Sequence, residues 1–109
     1  MKDAKDQEVC TIDGRPGEQA DTSLKSNGQQ VDYRVLCDSE RAKGFVRPYR
    51  DTYRHKQCGQ KTTMGYKLSE TYARDPSFYG ATFCATCGSH FPVGEGGEFE
   101  WLDGTKVGT

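Results

Sequence analysis

Hydrophobic positions are sparse along this chain, and their spacing changes from segment to segment. In residues 1–30 the only apolar cluster is Val9, Cys10 and Ile12, followed by an Asp13-Gly14 turn signal and Pro16. So polar a stretch buries too little to offset the entropy of ordering, which predicts a flexible or variable arm over 1–29. A short strand at Val9–Ile12 is the alternative. From Gln30 onward order is expected, in a domain spanning 30–109. Val31, Tyr33 and Val35 alternate with polar neighbours, the pattern of a half-buried strand. Phe45-Val46-Arg47, bracketed by Gly44 and Pro48, predicts a short edge strand or extended segment.

Over Thr62–Arg74 the period becomes helical, with Met64, Leu68 and Tyr72 at i, i+4 and i+8. Thr62 or Thr63 is a candidate cap, Glu70 and Arg74 are spaced to pair, and Pro76 stops continuation. Gly65 should weaken the first turn by about 1 kcal/mol relative to alanine. Further on, His90–Val93 and Glu98–Leu102 read as two strands joined by a Gly94–Gly97 turn. Asp103-Gly104 is a second tight-turn signal before Lys106-Val107. The predicted fold class is α+β, a small antiparallel sheet with one helix.

Composition sharpens the question of what holds such a chain together. With 109 residues, 33% of them hydrophobic, and a mean hydropathy of -0.88, the core is small. A staple is needed: disulfides, a metal or a partner chain. The five cysteines are an odd number, which argues against a complete disulfide framework. Met1 to Gln30 has no apolar run resembling a secretory signal, and no stretch approaches the roughly 18–20 apolar residues of a membrane span. The simplest reading is a reducing, cytoplasmic setting with thiolates on a metal and no membrane contact.

Two short knuckles supply the ligands. His55-Lys56-Gln57-Cys58-Gly59 and Cys84-Ala85-Thr86-Cys87-Gly88 each place two metal-binding side chains three residues apart, with glycine after the second. One imidazole and three thiolates are the number and chemistry of a closed tetrahedral Zn²⁺ site. The glycine lets the backbone turn sharply and aim amide N–H groups at the sulfurs. His55 is the ligand with alternatives, namely Cys37 and His90. If His55 binds the metal, Cys37 and Cys10 are left as free or small buried cysteines. The expected architecture is therefore zinc-ribbon-like, with the helix inserted between two zinc knuckles.

A redox pair at Cys84 and Cys87 fits less well, because Gly88 and Phe91-Pro92-Val93 point to a turn and a strand where a helix would be needed. A zinc deaminase centre needs H-x-E followed by P-C-x-x-C. Here Gln57 stands in place of Glu, Phe83 in place of Pro, and Cys58 adds a fourth protein ligand. An amide cannot shuttle the proton, and four protein ligands leave no position for water. No H-E-x-x-H, G-x-S-x-G or P-loop pattern occurs. The chain is read as non-enzymatic.

Net charge is -1, but residues 31–67 carry nine basic and four acidic groups, a net of +5. This basic stretch is interleaved with aromatics, so Arg47, Tyr49, Arg50, Tyr53, Arg54 and Lys56 form a candidate partner-binding set. Arginine pairs with phosphate and tyrosine stacks on unpaired bases, which suits DNA or RNA. The same composition suits an acidic protein surface. The plainer reading is a solvated face whose aromatics are core and whose arginines pair with local acids.

Arg47-Pro48-Tyr49-Arg50, Cys58-Gly59-x-x-Thr62-Thr63-Met64-Gly65 and the run from Glu70 to Cys84 resemble a family of small zinc-binding proteins from phage and prophage genomes. The resemblance covers about residues 45–109 and implies a viral origin and zinc, with 1–44 as the variable part. It carries over no activity. What it suggests is an accessory protein that binds and modulates or inhibits a host protein or protein–nucleic acid complex, such as a CRISPR defence system. The alternative is a zinc-ribbon nucleic-acid-binding protein.

Overall fold

The computed structural model describes residues 7–109; residues 1–6 of the expected arm lie outside the described residues. The fold is α+β, with three antiparallel sheets and two helices. In chain order the elements are β1 (Val9–Thr11), β2 (Arg34–Leu36), α1 (Asp38–Arg41), β3 (Thr52–His55), β4 (Lys61–Thr63), α2 (Tyr66–Arg74), β5 (Ala81–Cys84), β6 (Ser89–Pro92) and β7 (Phe99–Trp101). The central sheet has the order β4-β3-β7, while β5 pairs with β6 and β1 with β2.

Alternation in β3 and β7 builds the core. Tyr53 and His55 point inward from β3 and face Trp101 and Phe99 of β7 across the ladder. Tyr53 packs edge-on against Phe99 and Trp101, and α2 lays Tyr72 edge-on against the same Trp101. Met64, Cys84 and Val107 complete the cluster. Each such side chain contributes about 1.5–3 kcal/mol on burial, so this group carries much of the fold.

A second, smaller layer joins β2 to the helices. Val35 and Leu36 are buried, and the Leu36 amide donates to the Thr71 hydroxyl on α2. Arg41, also buried, donates to the Leu36 carbonyl and pairs with Asp38 and Glu70. Glu70 is thus paired across the helix interface, not with Arg74 as its spacing suggests. Arg74 donates instead to the Gly44 carbonyl.

Four expectations are corrected in detail. The helix starts at Tyr66, because Thr62 and Thr63 lie in β4, opposite Tyr53 and Thr52; their branched side chains suit a strand, and Met64 reaches the core from its end. The strand expected over Val31–Val35 begins only at Arg34, and Val31 is 48% exposed. Phe45–Arg47 forms no strand, although the Val46 and Arg47 amides both donate to the Ala73 carbonyl at the end of α2. The Gly94–Gly97 turn exists, with the Gly97 amide on the Gly94 carbonyl, but β6 and β7 enter different sheets.

Within the segment expected as an arm, β1 pairs with β2 in the register Cys10↔Val35, and a disulfide joins Cys10 to Cys37 with 5.1 Å between Cα atoms. This overturns the expectation that these two cysteines are free or small buried thiols. The odd total is explained once three cysteines serve elsewhere. Among the described residues no helix is long and apolar enough to cross a membrane.

Candidate metal centre

The two knuckles are the turns of two hairpins. His55 ends β3 and Cys58 lies in the turn to β4; Cys84 ends β5 and Cys87 lies in the turn to β6. Both turns close in the same way, with the Gly59 amide on the His55 carbonyl at 2.7 Å and the Gly88 amide on the Cys84 carbonyl at 2.8 Å. Gly59 and Gly88 have φ of 74° and 69°, the left-handed region that glycine enters without a Cβ penalty. The duplicated sequence pattern is therefore a duplicated backbone turn.

The hairpins meet so that one ligand atom from each of His55, Cys58, Cys84 and Cys87 lies within 4.8 Å of every other. The Cys58 and Cys84 sulfurs are 3.7 Å apart, and the Cys87 sulfur is 3.5 Å from His55 Nδ1. His55 and Cys84 are buried, Cys58 is half-buried and Cys87 is exposed. The group is anchored from the core side and open to solvent at Cys87.

The surroundings treat Cys58 and Cys87 oppositely. The Gln60 backbone amide, the largest influence, holds the Cys58 thiol down to about 7. Desolvation and then the neighbouring sulfurs push Cys87 up to about 11. Once one sulfur is ionised its neighbours resist ionisation, and a dication among them reverses that preference. The Cys87 amide also points at the Cys84 sulfur, at 3.4 Å. A soft, closely spaced donor set of this kind fits a tetrahedral metal ion.

His55 is set by its surroundings. Its ring is stacked on Phe99 at 4.7 Å and packs against Phe91 at 4.4 Å, with the two phenylalanine rings themselves 6.3 Å apart. Nε2 donates to the Glu98 carboxylate at 2.7 Å, which leaves Nδ1, facing the Cys87 sulfur, as the nitrogen that could bind a metal. Glu98, Phe91 and Phe99 were not singled out by sequence reasoning. Glu98 is 43 positions from His55, and no local spacing marks it.

Both alternative ligands are engaged elsewhere. Cys37 is in the disulfide, and His90 Nε2 lies 2.9 Å from the Tyr33 hydroxyl.

Of the candidate partner-binding residues, Tyr53 is buried and the arginines are engaged within the chain. Tyr53 is 2% exposed and its hydroxyl donates to the Phe83 carbonyl, so it cannot stack on a base. Arg50 bonds Asp103 and Thr105 and lies over the Trp101 ring, while Arg54 pairs with Glu100. Arg47 donates to the Thr109 and Val46 carbonyls. Tyr49 and Lys56 are exposed. The plainer reading holds for Tyr53 as core, while Arg50 and Arg54 pair not with local acids but with Asp103 and Glu100 of the acidic C-terminal third. No family model matches the chain, and neither a curated protein nor a solved structure matches it.

Proposed function

We propose that the chain is a non-enzymatic zinc-binding accessory module, in which Zn²⁺ is structural and the work is binding of a macromolecular partner. The observation that carries this reading is the closed donor set, one imidazole nitrogen and three sulfurs within 4.8 Å. Four protein ligands saturate a tetrahedral ion and leave no position for substrate or activated water. The ion would pin the β3–β4 and β5–β6 turns together. The expected result is one zinc per chain, with Cys84→Ser losing both metal and cooperative unfolding. Structural zinc binds with about 10–16 kcal/mol in small modules, more than the stability of a typical small domain. A metal-free protein that unfolds cooperatively at the same temperature would refute this.

A protein partner is favoured over nucleic acid. Arg50 and Arg54 are internally paired and Tyr53 is buried, whereas Phe45, Val46 and Tyr49 are 45%, 56% and 46% exposed on one short segment. The Val46 and Arg47 amides within this segment are held by the Ala73 carbonyl, which lowers the ordering entropy lost there on docking. The phage resemblance suggests that the partner is a host machine such as a defence complex. Val46→Glu should abolish a stoichiometric complex with such a partner and leave zinc content unchanged. If binding survives Val46→Glu and weakens steeply with salt, the nucleic-acid reading replaces it.

A further inference from the structure

Residues 42–49 are exposed without interruption and include no acidic side chain. The last turn of α2 fixes the middle of this segment. Ala73 is buried, its carbonyl accepts the Val46 and Arg47 amides, and Arg74 donates to the Gly44 carbonyl at 3.1 Å. Arg47 closes the other side, donating through Nη1 to the Val46 carbonyl and through Nε to the Thr109 backbone oxygen. Phe45 and Val46 are thus bracketed along the chain by two guanidinium groups anchored on main-chain oxygens.

Among the described residues neither arginine has a side-chain carboxylate for a partner. The acids nearest in sequence or contact are taken: Glu40 pairs with Lys43, Asp75 accepts from Gln7 and Ser77, and Asp103 pairs with Arg50. A guanidinium carries more N–H donors than these backbone bonds use, so both groups keep donors and charge for a carboxylate. Their anchoring reduces the side-chain freedom lost on binding. An apolar centre with cationic flanks is matched by an apolar centre with anionic flanks. A nucleic acid would satisfy the arginines but lay phosphates across Phe45 and Val46, and Val46 has no ring for a base to stack on. We propose that the partner offers this patch an acidic peptide segment, a large apolar side chain flanked by Asp or Glu, with Arg47 and Arg74 receiving the carboxylates. The proposal rests on reading residues 45–49 as a docking surface and adds the chemistry of what docks.

A random dodecapeptide library panned on the zinc-loaded full chain tests the two layers separately. Enriched peptides should combine a large apolar residue with flanking Asp or Glu. They should lose binding to Phe45→Ser, which removes apolar surface without adding charge. Arg74→Gln should weaken them roughly two- to fivefold, the worth of an exposed ion pair, and Arg74→Glu or Arg47→Glu by more. These losses should shrink in high salt, which a mere loosening of the 44–47 backbone would not produce. Zinc content should stay unchanged in every variant. Peptides rejected by Phe45→Ser that carry no acidic excess, or that bind Arg47→Glu and Arg74→Glu unweakened, would overturn the proposal and leave the docking surface standing. Peptides indifferent to Phe45→Ser, or none enriched, would remove the docking reading as well. An oligothymidylate that outcompetes the peptides, or a dimer of the chain that Arg74→Glu dissociates, would overturn the proposal by giving the patch to nucleic acid or to a second copy.

Discussion

Glu98 accepts a hydrogen bond from Nε2 of His55 at 2.7 Å, and this one contact decides which ring nitrogen faces the three sulfurs. A carboxylate behind a ligating imidazole fixes its tautomer and raises its basicity. Glu98→Ala should lower metal affinity about 10- to 100-fold while the hairpins remain folded, with Glu98→Gln recovering part of the loss. Chelator competition measures it. Unchanged affinity in Glu98→Ala would mean that packing against Phe91 and Phe99 alone orients the ring.

Metal affinity should depend on pH in a way set by Cys58. Its thiol is held down to about 7 by the Gln60 amide, whereas Cys87 is pushed up to about 11. The lowered value means that Cys58 is thiolate above pH 7 and must shed a proton on binding metal below it. Cys87 sheds a proton throughout the neutral range. Log affinity against pH should therefore steepen by one unit of slope as pH falls through about 7. A straight line between pH 6 and pH 8, roughly a unit either side of that value, would contradict the assignment.

Gly28 has φ of +93°, and a Cβ there would sit 1.9 Å from the Gly88 carbonyl oxygen at the second knuckle. Gly14 has the same φ, with nothing within 4 Å of its Cβ position. Gly28→Ala should therefore destabilise by more than the ~1 kcal/mol expected of Gly14→Ala, since only the first must also move backbone. Thermal unfolding of the two variants side by side tests this, and equal losses would show that the 25–30 loop gives way freely.

The Cys10–Cys37 disulfide joins residues 27 positions apart. On the chain-entropy account, cutting it costs about 3–4 kcal/mol. The Cys10→Ser/Cys37→Ser double variant should lose this stability and keep its metal. Loss of metal along with the bridge would instead tie the β1–β2 sheet to the knuckles.

The knuckles were legible because each is a local backbone turn whose spacing and glycine appear in five consecutive residues. The α+β class and the Asp103-Gly104 turn were legible for the same reason. Tertiary context decided the rest. Thr62 and Thr63 suit a helix cap and a strand equally, and pairing with β3 settled the matter. The aromatics at 49 and 53 look alike in sequence, yet β3 buries Tyr53 and the preceding loop exposes Tyr49. Cys10 meets Cys37, and Glu98 meets His55, through strand registers that no short-range pattern encodes.

The disulfide and the four-ligand cluster together impose an order of assembly. The chain has five thiols, and oxidation of the bare chain leaves many pairings open. A metal ion seated on Cys58, Cys84 and Cys87 would withdraw three of them, leaving only Cys10 and Cys37 to meet an oxidant. Metal first and oxidation second gives one product. The reverse order invites scrambled bridges through the knuckles, and with them the loss of both fastenings.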